Sequence, residues 1–274
     1  MKFSVIGDLH YSNNLLNVEE FEEIREFYFY HFMKWFFEDD ADLFFSIGDL
    51  TNTGHPDEVT GIYKIIEDVR EGKEFIHVWG NHDLYTQKKE EFQGQTQTKP
   101  YFSFAHEGIA FIVLDSTREQ NMADWSGYLD DLQLTWLAGE LKRYEEMTVV
   151  IFCHHPVYDT TMFSTQDKAS IVEEVPIRDL IFQHKKEAFF INGHTHNDSI
   201  TKIQNWNFIQ IADVMDQPTV RHFDLTDGSM KITSSTLDEK YRQYGTWLGS
   251  RMQYFQLLYR GYQGLENRET IINF

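Results

Sequence analysis

The 274-residue chain carries 24 Lys and Arg against 44 Asp and Glu, a formal net charge of −20, with 41% hydrophobic and 16% aromatic residues. Such a composition belongs to a folded chain rather than a disordered one, and the length suits one large domain or two small ones. The acidic balance disfavours long nucleic acids and anionic membrane surfaces as partners, but a locally cationic site could still take a small phosphorylated substrate.

Taken in order, Lys2–Gly7 reads as a buried strand. Asn17 with Glu20 makes a capping box for a helix from about Val18, with Phe21, Ile24, Phe27 or Tyr28, Phe32 and Trp35 on its apolar face. Asp42–Gly48 is a second strand, Asp57 caps a helix through Ile62, Ile65, Ile66 and Val69, and Phe75–Trp79 is a third strand. Alternating strands and helices imply right-handed parallel units. Tyr101–Phe104 and Ile109–Leu114 form a hairpin, Asp130–Tyr144 an amphipathic helix, and Val149–Cys153 and Ala188–Ile191 two buried strands with a helix between them. Residues 199–236 alternate strand and turn and read as antiparallel. The expected fold is therefore mixed α/β (α+β), with two β-sheets flanked by helices. Residues 237–274, rich in Tyr, Trp, Met and Phe (Tyr241, Tyr244, Trp247, Met252, Phe255, Tyr259), read as a helical extension packed on a domain of residues 1–236. An oligomer contact or a substrate-covering arm stays open for this tail.

The chemistry-bearing residues gather where predicted strands stop: Gly7-Asp8-Leu9-His10, Gly48-Asp49, Gly80-Asn81-His82-Asp83, His154-His155-Pro156 and Gly193-His194-Thr195-His196. Ligand sites in open α/β sheets lie beyond the carboxyl ends of the strands. Asp8, His10, Asp49, Asn81, His154, His194 and His196 offer only oxygen and imidazole donors, more than one tetrahedral ion needs. Two ions sharing Asp49, the lone acid of its segment, would use all seven. The preceding glycines leave room for close backbone approach. The donor set suits Mn²⁺, Fe²⁺/Fe³⁺, Zn²⁺ or Co²⁺ rather than a thiolate-selected ion. The other histidines (His31, His55, His77, His106, His184, His222) stand outside the pattern.

In these five motifs and their order the chain resembles the calcineurin-like metallophosphoesterase superfamily, over residues 7–196. The run Leu114-Asp115-Ser116, Gly127-Tyr128-Leu129 and Gln133 to Leu137 resembles the branch of class III cyclic-nucleotide and glycerophosphodiester phosphodiesterases. The resemblance implies a four-layer sandwich. It also implies one metal on Asp8, His10 and His196, a second on Asn81, His154 and His194, and Asp49 bridging both. His82 would be the catalytic histidine, oriented by Asp83, with Asn81, His82 and His155 touching substrate. The implied activity is hydrolysis of a small phosphodiester or phosphomonoester by a metal-bridged hydroxide. A non-catalytic metal-binding scaffold, a phosphatase and a nuclease of the same superfamily are the alternatives.

Around this centre, Tyr11, Asn13, Asn52, His55 and Arg118 are candidate pocket residues, though Arg118 reads equally as a surface residue. The single cysteine, Cys153, and an opening segment without the signal-peptide pattern lead to the expectation of a cytoplasmic protein. No run approaches the length of a membrane span. A homo-oligomer stays open.

Overall fold

The computed structural model describes residues 1–13, 21–226, 228–258 and 264–274. In chain order it contains β1 (Lys2–Ile6), α1 (Phe21–Phe37), β2 (Leu43–Ser46), α2 (Pro56–Val69), β3 (Phe75–His77), α3 (Lys89–Thr96), β4 (Phe102–His106), β5 (Ile109–Val113), α4 (Asp131–Arg143), β6 (Thr148–Phe152), α5 (Ile177–Ile181), β7 (Ala188–Asn192), β8 (Ser199–Ile203), β9 (Trp206–Gln210), β10 (Thr219–Thr226), β11 (Ser229–Thr236), α6 (Glu239–Gly249) and β12 (Thr270–Asn273). Two six-stranded sheets result, ordered β12-β11-β10-β1-β2-β3 and β4-β5-β6-β7-β9-β8.

The layers follow from which way the strand residues point. Side chains alternate between the two faces of a strand, and here both faces are apolar, as strands covered on both sides require. Phe3, Phe45, Phe111, Phe152 and Phe223 meet between the sheets. There the Phe45 and Phe152 rings stack with centroids 4.0 Å apart. Ile6 and Phe44 face the other way, onto α1 and α2 through Phe29, Phe32, Phe36, Ile62 and Ile66. Val149, Ile151 and Phe190 pack under α4 and α5 with Leu137, Leu141, Ile177 and Ile181. The order is helices, sheet, sheet, helices, as the sequence led us to expect. Each fully buried Phe or Ile contributes roughly 1.5–3 kcal/mol relative to exposure.

Several expectations need correction. The cap of α2 is His55, whose Nδ1 accepts the Asp57 N–H at 3.3 Å. Pro56 occupies the first helical position, where a missing N–H costs nothing, and this shifts the cap two residues back. The Asn17–Glu20 capping box and Tyr259 lie outside the described residues. The helix expected between β6 and β7 is present, as Ile177–Ile181. Residues 199–236 are two separate hairpins: β8–β9 extends the second sheet, with β9 parallel to β7, and β10–β11 extends the first, with β10 antiparallel to β1. The tail is only partly helical. α6 packs on α1, where Phe27 meets Tyr241 and Tyr244, and β12 then adds an edge strand beside β11.

β1–β2–β3 and β5–β6–β7 run parallel within their sheets. The loops after β1, β2, β3, β6 and β7 carry the five motifs and stitch together past the strand ends. Leu9 and His10 N–H donate to the Asp49 carbonyl at 3.0 and 2.9 Å, and Gly193 N–H donates to the His154 carbonyl at 3.0 Å.

Candidate metal centre

The seven predicted donors meet at the carboxyl ends of the parallel strands. Asp8, His10, Asp49, Asn81 and His154 are buried, and His194 and His196 are partly exposed. His10 Nε2 and His196 Nε2 are 3.2 Å apart, and His196 Nε2 is 3.4 Å from Asp8 Oδ2. On the other side, His154 Nε2 lies 3.0 Å from Asn81 Oδ1 and 3.3 Å from His194 Nδ1. Asp49 Oδ2 stands between the two groups, 3.2 Å from His154 Nε2 and 3.9 Å from His10 Nε2.

The backbone is bent to achieve this. His10, Asp49, His194 and His196 all have φ between 49° and 74°. Non-glycine residues rarely adopt this left-handed region, and it concentrates at functional sites. Two glycines make the approach sterically feasible. A Cβ on Gly80 would lie 2.1 Å from Asp49 N and 2.2 Å from Asp49 Oδ1, and one on Gly48 would lie 2.4 Å from His154 Nδ1.

Backbone carbonyls hold the outer nitrogens of three of the rings. His154 Nδ1 donates to Ile47 O (2.9 Å), His194 Nε2 to Lys168 O (3.0 Å) and His82 Nδ1 to Asn52 O (2.7 Å). A carbonyl can only accept, so each of these nitrogens carries the proton, and the other nitrogen faces the cluster. This is how metal-ligating imidazoles are oriented. The Asn81 amide is fixed likewise: its Nδ2 donates to Tyr85 Oη at 2.7 Å, which leaves Oδ1 toward His154.

The electrostatics fit cations. Burial pushes the Asp8 carboxyl up to about 8. Burial also opposes ionisation of Asp49, but His154, His82 and His10 together hold its carboxyl well below the usual range. Burial lowers His194 to about 3 and His196 to about 4, and it lowers His10 well below the ordinary histidine value. These rings are neutral at neutral pH and can donate lone pairs. Burial disfavours charge on His154 too, yet Asp49 and Asp8 hold it up to about 9. Asp49, held ionised, therefore draws positive charge to itself. Asp8 Oδ1 is buried with no hydrogen-bond partner among the described residues. A buried carboxylate oxygen left so is costly unless a cation meets it.

Two assignments are corrected. Asp83 does not orient His82. Its Oδ1 accepts from Thr51 N–H and hydroxyl (2.9 and 2.8 Å), and its Oδ2 accepts from Gly80 N–H and His77 Nε2 (2.9 and 3.0 Å). It ties the loop after β2 to the loop after β3, and the Asn52 carbonyl orients the ring. His155 does not reach the pocket as a substrate contact: it is fully buried, with Nδ1 2.8 Å from Ser116 Oγ and Nε2 2.9 Å from the Trp125 carbonyl.

Outlying candidates resolve as well. Tyr11 Oη bonds Glu26 and Asn13 Oδ1 accepts from Arg25, both away from the centre. Arg118 is held by Ser126 and Asp124 and lies over the Tyr128 ring. Gln133 clamps the Asp115 backbone, and Trp136 packs on Tyr101. Sequence reasoning missed His77 and Tyr85, while Phe255 comes from the aromatic tail for which a substrate-covering arm stayed open. His77 was visible as the one polar residue inside the predicted strand Phe75–Trp79. The Phe255 ring lies against His196 and His10, with centroids at 5.2 and 4.8 Å. The centre opens into a cavity of ≈ 800 Å³ lined by Asp49, Asn81, His82, His194 and His196 together with Trp125 and Phe255.

The family model described as calcineurin-like phosphoesterase matches residues 1–198. A protein named "Probable glycerophosphodiester phosphodiesterase GpdQ" from Arcobacter nitrofigilis is 26% identical over 174 residues, which cover 61% of this chain and 60% of that protein. A "Probable cyclic nucleotide phosphodiesterase" from Rhodococcus erythropolis is 30% identical over 130 residues, 46% of this chain and 41% of that protein. The matches thus span less than two thirds of either relative. A dimetal phosphatase from Danio rerio superposes with a TM-score of 0.69 at 16% identity, covering 85% of this chain and 95% of that one, a likeness of fold.

Proposed function

Because the chain belongs to the calcineurin-like phosphoesterase family, we propose that it hydrolyses a small phosphate ester, of nucleotide or glycerophosphodiester type, using two divalent metal ions. Asp8, His10 and His196 would hold one ion, Asn81, His154 and His194 the other, and Asp49 both. The observation that carries this reading is the place of Asp49 Oδ2 between the two donor groups, 3.2 Å from His154 Nε2 and 3.9 Å from His10 Nε2. A pair of divalent ions supplies a nucleophile at neutral pH and clamps the phosphoryl oxygens. The donor chemistry suits manganese, iron, zinc or cobalt.

His82 lines the cavity, with its Nε2 4.0 Å from Asp49 Oδ2. With Nδ1 fixed on Asn52, Nε2 is the ring atom that would act as general acid toward the departing alkoxide oxygen or hydrogen-bond the phosphoryl group. Asn81, anchored by Tyr85, would present its oxygen to the metal and its neighbourhood to substrate. The names of the two relatives favour a diester. Among the described residues no helix is long and apolar enough to cross a membrane. The buried free Cys153 agrees with a cytoplasmic setting.

The test is a panel of bis(4-nitrophenyl) phosphate, glycerophosphodiesters, cyclic nucleotides and phosphomonoesters, each with added Mn²⁺, Zn²⁺ or Co²⁺ and with chelator. Turnover that chelator abolishes and metal restores supports the reading. No turnover on any ester with any ion overturns it.

A further inference from the structure

The wall of the cavity is more aromatic than phosphate chemistry requires. Trp125, Phe163, Tyr254 and Phe255 line it around the cluster, with the amides of Gln166 and Gln256 beside them. Trp125 is 40% exposed and Tyr254 57% exposed. Large rings left open beside a buried polar centre mark a surface that has something to cover it.

The rings approach from both halves of the centre. Phe255 belongs to the His10–His196 half: it stacks on His196 with an interplanar angle of 27° and meets His10 at 64°. Its segment is pinned there, since Asn52 Nδ2 donates to the Gln253 carbonyl at 2.8 Å and Leu258 N–H donates to Asp216 Oδ2 at 2.7 Å. Trp125 belongs to the His154–His194 half. Its carbonyl takes the His155 Nε2–H, and Lys168, whose carbonyl holds His194, places its Nζ 4.3 Å from the Trp125 ring centroid. Phe255 and Trp125 thus line the cavity from the two halves of the centre. Flat walls favour a flat guest, because offset stacking keeps the whole ring face in contact where a puckered ring touches at its edges.

We propose that this cavity is an aromatic subsite: one ester group of the substrate carries a flat, uncharged aromatic ring, and Phe255 and Trp125 are its specificity-determining residues. The proposal rests on the phosphoesterase reading for the position of the phosphoryl group, and on the two walls for the rest.

Its test is calorimetric binding of three phosphonates to the full chain loaded with Mn²⁺: benzylphosphonate, cyclohexylmethylphosphonate and methylphosphonate. They share one anionic head and differ only in what fills the subsite. The expected result is that benzylphosphonate binds roughly tenfold or more tighter than either of the others. In Phe255→Leu, which keeps apolar bulk but loses the flat ring, and in Trp125→Ala, that preference should fall to within about twofold. Thermal melts establish that both variants are folded. An equal affinity for the benzyl and cyclohexylmethyl compounds, a preference that survives both substitutions, or no binding of any of the three would overturn the proposal. Binding does not depend on turnover, so a protein that prefers benzylphosphonate yet hydrolyses no ester would sink the phosphoesterase reading and leave the subsite standing.

Discussion

His82 Nδ1 lies 2.7 Å from the carbonyl oxygen of Asn52, a bond between the loop after β3 and the loop after β2. It fixes the tautomer and leaves Nε2 as the only ring nitrogen able to serve substrate. The ring is also held edge-on to His10, with centroids 4.6 Å apart, and the His82 N–H donates to Asp49 Oδ1 at 2.8 Å. Backbone and ring of one residue thus serve separate ends: one steadies the shared carboxylate and the other faces the cavity.

His82→Ala therefore keeps the N–H to Asp49 and loses only the ring. Turnover should fall about 10²- to 10⁴-fold, while bound metal, measured by inductively coupled plasma mass spectrometry, stays at the native level. A variant that loses metal and turnover together would show that the ring serves the centre's integrity instead.

Asp83→Asn separates bracing from tuning. The carboxylate and His77 are both fully buried, so weakening their bond and those to Thr51 and Gly80 should cost about 1–3 kcal/mol in denaturant unfolding. Since no bond joins Asp83 to the His82 ring, the pH profile of the remaining turnover should keep its native shape. A displaced limb would show that Asp83 tunes the ring after all.

Two glycine substitutions should have opposite signs. Gly80→Ala drives a Cβ into Asp49 and should destabilise by about 1–3 kcal/mol and weaken metal retention. Gly139, exposed within α4 and with open space around its missing Cβ, should gain about 0.5–1 kcal/mol as Ala. Chemical denaturation of the two variants beside the native chain reads both signs.

Asp39 predicts a pH dependence far from the centre. Burial opposes its ionisation, but bonds from His222 and Ser4 hold the carboxyl down at about 2. A carboxyl lowered in the folded state stabilises above its unfolded value near 4, and that contribution disappears as pH falls toward 2. Asp39→Asn should thus be less stable than the native chain at pH 6, by an amount that solvent screening keeps small, and its deficit should shrink between pH 4 and pH 2. A deficit that stays constant down to pH 2 would contradict this.

The centre was readable in sequence because its information is local. Each donor segment follows an apolar strand, with Asp8, Asp49, Asn81 and His194 directly after a glycine. The parallel strands carry those ends to one edge of the fold. What escaped was set by side-chain contacts that the local pattern does not specify. Asn52 meets Gln253 across 201 positions, and His77 meets Asp83 through a side chain that strand periodicity does not aim. His155 looked like a pocket residue beside His154, yet both its nitrogens are spent on Ser116 and Trp125. β12 was hidden because an edge strand of four residues with alternating exposure has little apolar signal to separate it from a tail.

The central claim is that one carboxylate serves two cations. Anomalous diffraction from crystals soaked in manganese tests it most directly. The account predicts two peaks per chain, about 3.5–4 Å apart, on either side of Asp49 Oδ2, and neither peak in Asp49→Ala crystals treated alike. A single peak, or two that persist when Asp49 is gone, would contradict it.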